Sequence, residues 1–167
     1  MNTIKSTIHT EAIFSDDKQH RYLLKKIWDE KKPVCTIITM YPHLDGVLSL
    51  DLTTVLILNQ LANTEQYGAV YLVNLFSNIK TPEKLKHIKE PFDKHTDIYL
   101  MKAISESETI ILAYGVYAKR PVVGERVEQV MEILKPHKKK VKKLINPATN
   151  EVMHPLNPKA RQKWTLK

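Results

Sequence analysis

The feature that most constrains this chain is the apolar run over residues 34–40, VCTIITM, which passes without a break into Tyr41, Pro42 and His43 and on to Asp51. A largely β-branched run of this length, bounded by turn residues, suits a strand buried on both faces, as in a parallel sheet. Open α/β sheets bind ligands in the loops that leave the carboxyl ends of such strands. Tyr41, Pro42 and His43 are therefore expected to face whatever the protein binds.

The rest of the chain alternates around that strand. Asp51 is placed to cap a helix over LTTVLILNQLANTEQY, with Leu52, Val55, Leu56, Leu58 and Leu61 as its apolar face and Gly68 as its stop. Residues 69–74, AVYLVN, read as a second buried strand whose loop leads to a lysine-rich surface piece around Leu85. Thr96 is expected to cap a helix over DIYLMKAIS, and residues 109–115, TIILAYG, to form a third strand. Beyond Pro121, Val123, Val127, Val130, Met131 and Leu134 fall on one helical face; KVKKLIN alternates like an edge strand, and a short terminal helix starts near Pro158. Residues 21–28 read either as two helical turns or as one strand of a hairpin closed by DEKKP, and the nearness of the turn favours the strand. The first twenty residues show no period and are expected to be irregular. Strands separated by helices predict a single α/β domain over residues 1–167, a doubly wound or three-layer sandwich with a mainly parallel central sheet.

Composition narrows the function. With 167 residues and 43% hydrophobic side chains the chain can bury a core. No apolar run approaches the roughly 20 residues a membrane span needs, and the N-terminal stretch lacks a signal-peptide core, so a cytoplasmic protein is expected. Cys35 is the one cysteine, which excludes an internal disulfide, a four-cysteine zinc site and a cysteine-held iron–sulfur cluster; it reads as a small buried hydrophobe. The seven histidines fall into no zinc spacing, so neither metal nor cofactor is expected.

The net charge of +8 is not spread evenly. Residues 135–167 hold nine lysines and one arginine against one acid, Glu151, whereas residues 1–134 are close to neutral. A one-sided basic field attracts a phosphate backbone, and Lys138, Lys139, Lys140, Lys142, Lys143, Lys159 and Arg161 are the candidate contacts; a solvated lysine face is the plain alternative.

The chemistry-bearing candidates are the residues at strand exits: Tyr41, His43, Asn74, Tyr114 and, on its own loop, His154. The chain has no Walker loop, no glycine-rich dinucleotide fingerprint and no nucleophile elbow. An asparagine at a strand end presents a donor and an acceptor side by side, which suits the edge of a nucleobase or the tying of a loop.

The order Tyr41-Pro42-His43, Asp51-Leu52-Thr53, Asn74-Leu75-Phe76, Tyr114-Gly115 and His154-Pro155-Leu156 resembles a bacterial and phage domain family of unknown function. Its members usually show leucine-asparagine-proline-serine, aspartate-proline-threonine, asparagine-leucine-phenylalanine, tryptophan-glycine and histidine-proline-leucine in those places. The match runs from about Arg21 to Trp164, with Tyr41, His43 and Tyr114 as departures. That layout is similar in turn to the uracil-DNA glycosylase superfamily. The resemblance implies that Asn74 reads a flipped base and that His154 donates to a pyrimidine oxygen. It implies that Phe76 or Tyr41 supplies a stacking ring, unless either only packs a loop, and that Asn74 and His154 share one pocket. Tyr41 stands where the superfamily carries a water-positioning aspartate or asparagine, and a protonated phenol is a poor base, so catalysis by Tyr41 and His154 is expected to be weak. His43 and Asp45 are the other candidates for that role, while Asp51 is better explained as a helix cap. Two functions follow: a DNA-binding protein of this fold, as a weak or relic glycosylase, or an interaction module that binds an acidic DNA-mimic inhibitor as a decoy.

Overall fold

A computed structural model describes residues 1–42, 46–79 and 88–167. His43, Asp45 and the lysine-rich piece around Leu85 lie outside the described residues. The strands are β1 (His9–Phe14), β2 (Arg21–Ile27), β3 (Val34–Thr39), β4 (Ala69–Asn74), β5 (Thr109–Leu112) and β6 (Val141–Lys143). The helices are α1 (Leu52–Asn63), α2 (Lys94–Glu106), α3 (Pro121–Leu134) and α4 (Pro158–Gln162). The strands form one sheet in the order β1-β2-β4-β3-β5-β6. The pairings β4–β3, β3–β5 and β5–β6 are parallel, and β1–β2 and β2–β4 are antiparallel.

Alternation along the strands divides the core into two layers. Ile38, Tyr71, Val73, Ile110 and Leu112 face Leu100 and Ile104 of α2 and Val123, Val130 and Leu134 of α3. Cys35, Ile37, Val70, Leu72 and Ile111 face Ile57, Leu58 and Leu61 of α1 and Ala160 of α4. The fold is thus a three-layer α/β sandwich with a mixed sheet whose larger part is parallel. Cys35 is fully buried, and burial pushes its thiol up to about 12, so it is an inert core residue. Among the described residues no helix is long and apolar enough to cross a membrane.

Several local expectations are corrected. Residues 9–14 are an edge strand, registered by the cross-strand pair Glu11 and Lys25 at 3.3 Å, and not an irregular lead-in. Residues 21–27 are a strand, but the hairpin is with β1, because β4 is inserted between β2 and β3. Trp28 N and Asp29 N both donate to Gly68 O, and Gly68 N donates to Pro33 O, so the start of β4 is wedged into that turn. A Cβ on Gly68 would lie 1.8 Å from Asp29 O, which is why glycine stands there; stopping α1 is secondary.

Asp51 does cap α1, accepting from Thr54 N at 2.9 Å. The buried stripe is Thr54, Ile57, Leu58 and Leu61, one step round from the expected face, and Leu52 is 52% exposed. Helix α2 starts at an Asp93 cap, with Thr96 as the reciprocal member of a capping box rather than the cap itself. One irregularity matters for the sites. Ile13 pairs with Leu23 and Phe14 with Arg21, so Tyr22 is an extra residue, a β-bulge.

Candidate functional site

Two adjacent parallel strands whose chains leave toward opposite faces open a crevice at their carboxyl ends. Here they are β3, which leads to α1, and β5, which leads to α3 on the other face. A pocket of about 190 Å³ lies on the α1 side of that crevice, lined among others by Arg21, Thr39, Tyr41, Asp51, Thr54, His154 and Leu156. Tyr41 and His154, 113 positions apart in the chain, are thus brought together.

Each wall has an identifiable support. Gly115 has φ +83°, and a Cβ on it would stand 3.2 Å from His154 Cβ, so the backbone turn after β5 seats the histidine. Leu156 N donates to His154 Nδ1 at 3.2 Å, which leaves the ring proton to Nε2. Burial pushes His154 down to about 4, against the pull of Asp51, so at neutral pH it is an uncharged hydrogen-bond donor. Both oxygens of Asp51 accept from Thr54, at 2.9 and 3.0 Å, which fixes the carboxylate on the pocket wall. The cap was legible in the sequence; its second position, facing the histidine, was not.

Asn74 is 4% exposed and stands one residue behind the wall: its Nδ2 donates to Thr39 Oγ1 at 2.6 Å, and Thr39 lines the pocket. Its Oδ1 is buried without a hydrogen-bond partner among the described residues. Asn74 therefore reaches the pocket through Thr39 instead of lining it beside His154. The loop behind Asn74 is clamped. Leu75 N and Phe76 N donate to Thr39 O and Met40 O. Leu75 O accepts from Arg126 Nε at 2.8 Å; Arg126, 1% exposed, also pairs with Asp97 and lies over the Phe92 ring at 4.1 Å. Arg126 escaped the sequence reading because an arginine within an apolar helical face carries no signal of burial.

One expected ring donor and one strand-exit candidate are elsewhere. Phe76 is 1% exposed and packs against Phe92 in the α2/α3 layer, so its ring is core and cannot stack on a ligand in this pocket. Tyr114 is buried in the same layer.

The basic candidates divide between the two ends of the sheet. Lys138, Lys139 and Lys140 precede β6 and lie at the amino end of the parallel strands, where Lys140 Nζ donates to Ser107 O at 2.8 Å. Lys142 and Lys143 are exposed on edge strand β6. Lys159 and Arg161 belong to α4 at the pocket end, Arg161 Nε donating to Leu156 O at 3.1 Å and Lys159 Nζ to Asn146 Oδ1 at 3.3 Å. Among the described residues no cluster of three histidine, cysteine or acidic side chains fit for a metal occurs.

A family profile described as a protein of unknown function (DUF1643) matches residues 21–156, from the start of β2 to the pocket wall at Leu156. The chain belongs to the DUF1643 family. The matched span of this DUF1643 domain contains Tyr41, Asp51, Asn74, Arg126 and His154, and leaves out β1 and α4. Neither a curated protein nor a solved structure matches the chain.

Proposed function

We propose that this protein is a DNA-binding member of a uracil-DNA glycosylase-like fold that holds a single extrahelical base and turns it over slowly or not at all. The observation that carries the reading is the joining of Tyr41, Asp51 and His154 in one pocket, with Asn74 behind Thr39. A space of about 190 Å³ is below the roughly 300–1,000 Å³ of clefts for larger ligands, which suits one planar ring. Neutral His154 offers a donor to the negative charge that develops on a leaving base. Asn74 acts at one remove, its Nδ2 holding the Thr39 hydroxyl on the pocket wall. Tyr41 occupies the exit of β3 with a phenol, which orients water poorly.

The test is release of uracil from a labelled oligonucleotide, scored as abasic sites beside a glycosylase of known activity. Excision by the wild type should be slow or absent, and Tyr41→Asp should raise it. Asn74→Ala, which releases the Thr39 hydroxyl on the pocket wall, should weaken binding to a duplex with an extrahelical uracil by about 1 kcal/mol, the scale of one hydrogen bond, and leave plain duplex binding nearly unchanged. Brisk wild-type excision lowered by Tyr41→Asp would overturn the role given to Tyr41. Tight capture of an acidic DNA-mimic protein with no affinity for DNA would instead favour the decoy reading.

A further inference from the structure

A second cleft, of about 720 Å³, opens beyond the carboxyl end of β4 on the α2 side and shares no lining residue with the Tyr41–His154 pocket. Behind it runs a continuous chain of side chains from a carboxylate to a histidine. Asp93 accepts from Tyr22 OH at 2.7 Å, from Thr96 N at 3.0 Å and from Thr96 Oγ1 at 3.0 Å. Thr96 Oγ1 also accepts from Asp93 N at 3.1 Å and lies 2.7 Å from Ser77 Oγ, which lies 2.7 Å from His20 Nδ1.

The charges fix the direction of every proton in this chain. Burial works against the Asp93 carboxylate, but the bonds from Tyr22 and Thr96 hold its pKa below the usual carboxylate range, so it only accepts. Burial and the Asp93 bond push the Tyr22 phenol up, so it stays a donor. The single hydroxyl proton of Thr96 goes to the charged oxygen, the stronger of its two acceptors. Ser77 must then give its proton to Thr96, and its oxygen accepts from Nδ1–H of His20. In the neutral imidazole Nε2 is then the bare nitrogen. Because Nδ1 is turned inward to the buried Ser77, Nε2 is turned outward into the cleft, although His20 as a whole is only 5% exposed. No described residue bonds it.

We propose that this cleft is a second ligand site, specific for an organic cation bearing a guanidinium or ammonium group, in which His20 Nε2 is an oriented acceptor. Among the described residues its rim carries the carboxylates of Asp16, Asp17 and Glu90 against the cation of Lys89. Its wall is a ring stack: Tyr22 lies 6.0 Å from His20 at 14° and 5.3 Å from Tyr99 at 9°. Carboxylate acceptors beside stacked π faces complement a planar cation with several N–H groups. A volume of about 720 Å³ is in the range of small-molecule clefts. The site does not rest on the reading of the other pocket.

Long-range ¹H–¹⁵N spectra of the full-length protein at neutral pH should show His20 protonated at Nδ1 alone. A ring protonated at Nε2 would overturn the proposal. Ser77→Ala should mix the tautomers, and if that variant does not fold, the wild-type spectrum still decides. Titration with agmatine should move the His20 resonances and leave those of His154 in place. Asp16→Asn with Glu90→Gln, both exposed, should weaken agmatine by about fivefold. N-acetyl-arginine amide run in parallel separates a free small cation from the side chain of a peptide by which binds more tightly. Agmatine that leaves His20 unmoved at tens of millimolar, or acetate that moves it equally, would remove the site.

Discussion

The two ends of the parallel strands are built on opposite terms. The carboxyl end holds the pocket, with an uncharged histidine, a fixed carboxylate and a clamped asparagine loop; the amino end holds the lysine run. Ser107, which accepts from Lys140, and Ala113, at the far end of β5, are six residues apart, or about 20 Å of strand. Charge and recognition are therefore separated along the sheet, and one cannot be inferred from the other. Each end is nonetheless tied by a cation to a backbone carbonyl, Arg126 to Leu75 O and Lys140 to Ser107 O. The difference is burial, since Arg126 is 1% exposed whereas the Lys140 bond is only partly buried.

If burial decides what each tie is worth, the two anchors should differ in urea unfolding. Arg126→Met leaves Leu75 O without its donor and Asp97 without its partner. It should cost about 3 kcal/mol, the low end for breaking a buried pair, because Asp97 is one-third exposed. Lys140→Met should cost about 1 kcal/mol. Equal losses would break the comparison.

The histidine provides the next largest effect. Its folded pKa, about 4, lies below the ordinary 6.5, so between those values the unfolded chain binds a proton that the folded chain does not. The stability this gives is fully present above about pH 6.5 and is lost as pH falls toward 4, by up to about 3 kcal/mol. His154→Gln should flatten the stability profile in that window; an unchanged profile would mean the ring is already charged when folded. Gly115→Ala should cost about 1–2 kcal/mol for a left-handed residue and push His154 off its seat, so loss of ligand in the pocket should exceed the loss of stability.

At the amino end the exposed Lys138 and Lys139 should leave stability unchanged and carry a salt effect. Lys140 is engaged with Ser107 O, so Lys138→Gln with Lys139→Gln should flatten the slope of log K against log salt by about 2, and adding Lys140→Gln should change it little further. Base discrimination should be untouched. A loss of discrimination would mean that the two ends act on the same stretch of ligand.

How far the sequence could be read follows from which forces are local. The buried strands 34–39, 69–74 and 109–112 and the Asp51 cap were legible because uninterrupted β-branched runs and a capping side chain act within a few residues. The hairpin partner of β2 was not, because the insertion of β4 depends on Gly68 meeting Asp29, 39 positions away. The conjunction of Tyr41 with His154 was implied by the family resemblance, whereas Phe76 was misjudged. Its ring belongs to the core because alternation stops after β4: Asn74 follows Leu72 to the α1 side, whereas Leu75 and Phe76 both pack in the α2/α3 layer. The chain from Asp93 to His20 joins residues from three separate segments, and no spacing in the sequence announces it.

The bulge at Tyr22 has an engineering consequence. Residues 21 and 22 are neighbours in the chain, yet Arg21 lines one cavity and Tyr22 the other, on opposite sides of the sheet. Deleting a single codon here would restore regular pairing of β1 with β2 and keep the ladder intact. Only one of these two side chains would then remain, and whichever cavity lost its member would be altered by an edit that leaves the sheet whole.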